Sequence, residues 1–96
     1  MNKYESVMIL APTTADEEIT KIIDKVKEII TSNEGTIIKS ENLGKKKLAY
    51  EVKKNAEGIY IVIEFEVGAE VISELERYYR IEEEIIKFMT VRKDED

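Results

Sequence analysis

Ile19, Ile22, Ile23, Val26, Ile29 and Ile30 recur at steps of three and four, with Glu17, Lys21, Asp24, Lys25 and Glu28 on the opposite side. This period predicts an α-helix over residues 15–32 with a single apolar stripe. Such a helix must bury its stripe against another layer, and it covers only one face of that layer. Thr14-Ala15-Asp16-Glu17 reads as a capping box, the Thr14 hydroxyl bonding an amide three residues on and Glu17 reaching back. Ser32-Asn33-Glu34-Gly35 ends the helix, with Asn33 or Gly35 expected in the left-handed position.

The layer to be covered is a sheet. Residues 3–10 are rich in β-formers and stop before Pro12, which cannot extend a ladder. Tyr4, Met8 and Leu10 alternate with Val7 and Ile9, so both faces are apolar and the strand belongs inside the sheet. Residues 36–41 and 47–53 are also β-like. Asn42-Leu43-Gly44 lies between them, which fits one long strand bulged at Gly44. A turn is expected over residues 54–58. The alternation is clearest over 59–67, with Ile59, Ile61, Ile63, Phe65 and Val67 against Tyr60, Val62, Glu64 and Glu66. Val71, Ile72, Leu75, Tyr78 and Tyr79 form a second helical stripe over 69–80. Glu82, Glu83 and Glu84 make a solvated loop, residues 85–92 the last strand, and Lys93 to Asp96 a frayed acidic tail.

The order is β-α-β-β-α-β, and 96 residues allow one core and one domain, 1–96. Two helices with one stripe each cover one sheet face. The expected fold is therefore α+β, a four-stranded antiparallel sheet in strand order 4-1-3-2 with both helices on one side, the ferredoxin-like arrangement. In that order Val7, Ile9, Tyr60, Val62, Met89 and Val91 fall side by side on the uncovered face. That is more apolar surface than a solitary domain usually exposes. Either a partner protein docks there or the strand parity is inverted.

Composition removes most catalytic chemistry. The chain has no Cys and no His, hence no thiolate nucleophile, no zinc-thiolate site and no imidazole base or ligand. No metal or other cofactor is expected. The longest apolar run, residues 7–11, is far too short to span a membrane. Residues 1–5 carry no apolar stretch of a secretion signal, so the cytoplasm is the expected compartment. The loop after the first strand, Ala11-Pro12-Thr13-Thr14, lacks the basic residue an acyl-phosphatase of this fold requires. The four glycines stand singly at element ends, so no phosphate-cradling loop exists. A regulatory domain binding a small molecule is the remaining alternative, but the loops Pro-Thr-Thr and Gly-Ala-Glu offer it little specificity.

Fifteen basic and 21 acidic residues give a net charge of −6, which argues against coating nucleic acid by bulk attraction. The distribution is uneven. Lys45, Lys46 and Lys47 are consecutive and Lys53 and Lys54 follow, while acids gather at 16–18, 82–84 and 94–96. The lysine run fits phosphate contacts and equally fits a charge guard on an exposed strand. Stacking of bases on aromatics is weakly supported, since only Tyr60 faces outward on the third strand.

Leu43-Gly44-Lys45-Lys46-Lys47-Leu48-Ala49-Tyr50-Glu51-Val52 closely resembles the signature of the bacterial small-ribosomal-subunit protein six family. Lys3-Tyr4-Glu5, Leu10-Ala11-Pro12, Arg80-Ile81 and the run from Ile85 to Arg92 match other parts of that family in order, so the likeness spans nearly the whole chain. The resemblance implies the ferredoxin-like fold and a non-enzymatic role. It also implies binding to the central domain of small-subunit ribosomal RNA, as a pair with ribosomal protein eighteen. A basic partner would supply much of the phosphate neutralisation an acidic chain lacks. On this basis Lys45, Lys46 and Lys47 are expected to contact phosphates. Lys3, Arg92 and Lys93 are expected to add a second basic patch, and Val7, Ile9, Tyr60, Val62, Met89 and Val91 to meet the partner. Two departures stand out: the basic run is all Lys where Arg is frequent, and the tail is short.

Overall fold

The computed structural model of the chain describes residues 1–93. Of the expected acidic tail, Lys93 to Asp96, all but Lys93 lies outside the described residues. The elements are β1 (Asn2–Leu10), α1 (Asp16–Ser32), β2 (Thr36–Val52), β3 (Asn55–Val67), a 3-10 turn (Ala69–Val71), α2 (Ile72–Ile81) and β4 (Ile85–Arg92). The sheet is antiparallel in the order β2-β3-β1-β4, the expected 4-1-3-2 read from the other edge.

Both helices lie on one face. Ile22, Val26 and Ile30 of α1, with Leu75 and Tyr79 of α2, pack onto Met8 and Leu10 of β1 and Ile61, Ile63 and Phe65 of β3, all at most 1% exposed. Tyr4 stacks on Phe65 with ring centroids 5.9 Å apart, and Tyr79 tilts against Phe88 at 5.2 Å. One polar chain crosses this core. Tyr79 Oη donates to Ser6 Oγ at 3.0 Å, and Ser6 Oγ lies 2.7 Å from Thr90 Oγ1. It ties α2 to β1 and β4 and satisfies the buried Ser6. Burial pushes the Tyr79 phenol up to about 12.

Three local expectations are corrected. The capping box does not form: Ala15 is the N-cap of α1 and no side chain caps it. The Thr14 hydroxyl turns instead to the Ala11 carbonyl (2.7 Å) and the Glu84 carboxylate (2.8 Å). It thereby pins the helix start to the loop before β4, so Glu84 is not merely solvated. The Glu82 carboxylate likewise accepts from the Glu84 amide at 3.2 Å. Asp16, Glu17 and Glu18 still suit the helix dipole.

At the other end of α1 neither Asn33 nor Gly35 takes the left-handed position. Glu34 does, at φ 66°, and the Gly35 amide closes the helix onto the Ile30 carbonyl at 2.8 Å. Gly35 is required for a different reason: a Cβ there would stand 2.7 Å from the Glu66 carbonyl oxygen. The left-handed conformation costs a side-chain-bearing residue roughly 1–2 kcal/mol, part of which glycine gives back through unfolded-chain freedom. Glu34→Gly is therefore expected to stabilise the fold by about 0.5–1 kcal/mol. The readout is a higher urea midpoint at unchanged m. An unmoved midpoint would show that Glu34 holds this conformation without strain.

The third correction concerns the hairpin. The turn is Lys53–Lys54, earlier and shorter than expected, with Val52 paired to Asn55 and both lysines at positive φ (50° and 67°). This is the primed two-residue geometry, normally reserved for Asn-Gly pairs. Asn55 Nδ2 supports it by donating to the Val52 and Lys53 carbonyls at 3.2 and 3.1 Å. The bulge at Gly44 is present, with φ 84° and its amide bonded to Asn42 Oδ1 at 2.8 Å. The pairing also skips between Ile37 and Lys39, which leaves Ile38 without a partner in the ladder.

Candidate RNA and partner interface

The sheet register determines what the uncovered face presents. Val62 of β3, Val7 of β1 and Met89 of β4 form one row across it. Tyr60, Ile9 and Lys87 form the next, and Glu64, Glu5 and Val91 the row on the other side. Met89 is 57% exposed and Val91 40%, while Val7, Tyr60 and Val62 are half-buried. A groove of about 220 Å³ runs between Val7, Ile9, Tyr60, Lys87, Phe88 and Met89.

Ile9 behaves differently from the other five. It is only 8% exposed in the free chain. The paired extension of β2 and β3, residues 45–58, runs past the end of β1 and bends over this row. Leu48, Tyr50 and Val52 then line a second, half-open groove of about 90 Å³ with Ile9 and Tyr60. Tyr50 Oη accepts from Lys87 Nζ at 2.8 Å, and that bond and the adjacent ammonium charge hold the Tyr50 phenol below its ordinary range. Lys87, Leu48 and Tyr50 thus belong to this surface, although the sequence reading did not include them. Lys87 was readable, since it alternates with Met89 and Val91 on β4. Leu48 and Tyr50 were not, because the skips in β2 break the link between residue parity and face.

The basic residues fall into two groups at opposite ends of the sheet. Lys45, Lys46 and Lys47 lie opposite Ile59, Gly58 and Glu57, beside the end of β1 at Leu10. All three are exposed, and their alternation puts Lys46 toward the open face and Lys45 and Lys47 toward the other. Lys3, Arg92 and Lys93 sit at the opposite end of the sheet, about 23 Å away at ~3.3 Å per residue along β1. They do not form one patch. Arg92 pairs with Tyr4 and so belongs to the helix side, where its guanidinium donates to Asn2 Oδ1 at 2.9 Å. Lys3 lies opposite Glu66, and the Lys93 ammonium is 4.0 Å from the Glu5 carboxylate. That end is electrically mixed. The lysine-rich extension is the more positive of the two, with Lys53 and Lys54 at its tip.

Comparison with known proteins is consistent along the whole chain. The family described as Ribosomal protein S6 matches residues 3–92. Small ribosomal subunit protein bS6 of Acidobacterium capsulatum is 43% identical over 93 residues, covering 97% of this chain and 66% of that protein. The bS6 protein of Azobacteroides pseudotrichonymphae is 37% identical over 94 residues, covering 98% and 84%. The crystal structure of 30S ribosomal protein S6 from Thermotoga maritima superposes with a TM-score of 0.90 at 42% identity, over 96% of this chain and 87% of that one. The chain thus spans about two thirds or more of the length of these relatives, which are structural ribosomal proteins and not enzymes. Sequence signature, strand order and superposition agree, and the chain belongs to the ribosomal protein S6 family of the small ribosomal subunit.

Proposed function

We propose that this chain binds small-subunit ribosomal RNA jointly with ribosomal protein eighteen of the same subunit, meeting the protein with its open sheet face and the RNA with basic residues at the two ends of the sheet. The observation that carries this reading is the row Val62-Val7-Met89 beside Tyr60, an apolar strip left uncovered on a chain of net charge −6. Apolar surface of this extent calls for a protein, and a negative chain needs a basic companion to approach phosphate.

The test is RNA binding by the purified chain with and without the partner. Binding only, or at least tenfold more tightly, in the partner's presence is expected. Equal affinity without it would remove the pairing. Within the complex, Lys46→Gln and Arg92→Gln are each expected to lower the slope of log K against log salt by roughly 0.7–0.9, one phosphate contact apiece. An unchanged slope for either takes that residue out of the RNA contact.

A further inference from the structure

The extension of β2 and β3 over residues 45–58 lies back across the surface assigned above to the partner. Its base packs on Ile9, but its outer part is held loosely. Tyr50, on one edge strand, reaches past β3 and β1 to Lys87 on the other edge, but it is 63% exposed, and the link is one hydrogen bond with the ammonium 5.0 Å from the ring centre, both in solvent. Beneath it a half-open groove of about 90 Å³ separates Tyr50 from Ile9 and Tyr60. The base of the extension carries a glycine on each strand. Gly44 is at φ 84°, and Gly58 lies so close to the Ile9 side chain that no Cβ fits between them. Gly44 stands in open space and absorbs backbone rotation at little steric cost, while Gly58 lets β3 pass directly against Ile9.

We propose that residues 45–58 form a strap that is closed over Ile9 and Tyr60 in the free chain and lifts about Gly44 and Gly58 when the partner docks. Closed, the strap shields apolar surface from water and from unspecific association. Open, it yields Ile9, Tyr60 and Leu48 to the partner and carries Lys45 to Lys47 and Lys53–Lys54 away from the sheet, toward RNA. The proposal rests on the docking reading above. The population of the open form then scales the apparent affinity.

Two measurements test it. The chain contains no Cys, so Tyr50→Cys/Lys87→Cys has two unique thiols that a short bismaleimide can bridge. The bridged protein is expected to bind protein eighteen about tenfold more weakly than the same variant blocked singly with N-ethylmaleimide, because the open state is removed. Equal binding by the two would show that docking proceeds with the strap closed and would overturn the proposal. Lys87→Ala in the otherwise native chain is expected to speed amide exchange over residues 46–58 about two- to fivefold, the worth of one exposed hydrogen bond. Unchanged exchange there would mean that the latch holds nothing. The exchange measurement needs no partner. If the native chain fails to bind protein eighteen at all, the docking reading falls while the strap is still judged on its own.

Discussion

Tyr60→Asp is expected to weaken binding of the partner protein by at least ~2 kcal/mol, about 30-fold, while costing the isolated chain no more than ~1 kcal/mol of stability. Tyr60 lines both grooves of the open face and is flanked on β1 by Ile9. A large aromatic at the centre of an apolar patch is the usual carrier of binding energy, and a carboxylate there would be desolvated without a counter-charge. The free chain tolerates the change because the ring is half-buried against solvent-facing neighbours rather than against the helices. Isothermal titration with the partner and urea unfolding of the free chain separate the two effects. A variant that unfolds on its own yet still binds would show that Tyr60 supports the fold instead.

Phe65→Ala is expected to destabilise the chain by about 3–5 kcal/mol. Phe65 is fully buried, stacked on Tyr4, and sits where β3 passes beneath α1 and α2. Against a typical domain stability of ~5–15 kcal/mol, this leaves a small protein with little or no folded population at 37 °C. Phe65→Leu, which fills most of the volume, is expected to cost about 1–1.5 kcal/mol. A loss under ~1 kcal/mol for the alanine variant would mean that the core closes over the vacancy.

The sequence conveys the fold better than the site, for physical reasons. The isoleucine stripe of α1 and the alternation from Ile59 to Val67 repeat a period many times over, so no single residue misleads. They define the layers, the strand order and the buried face. Caps and turns depend on single competing hydrogen bonds. Thr14 has a carboxylate seventy residues away within reach, and no local pattern reports that Glu84 comes to meet it. The Lys53–Lys54 turn hides for the opposite reason, since neither residue favours the left-handed conformation that both adopt. At the open face, residues on regular strands were placed by parity alone. Ile9 was assigned to the correct face but not to its cover, because the cover is a bulged strand whose register cannot be counted from the sequence.

The position of β1 has a consequence for how the chain acquires its structure. β1 is the first strand to be synthesised, yet its partners are β3 and β4, with Tyr4 paired to both Phe65 and Arg92. Neither partner is next to it in sequence, and β4 is the last of the four strands to be made. Its ladder is closed only by long loops, the kind of contact that slows folding. Until residues 85–92 have emerged, a growing chain with β1 docked on β3 carries one naked, apolar edge ready to capture another strand. Loss of β4 alone is thus expected to leave a three-stranded sheet with the apolar strand β1 as its exposed edge.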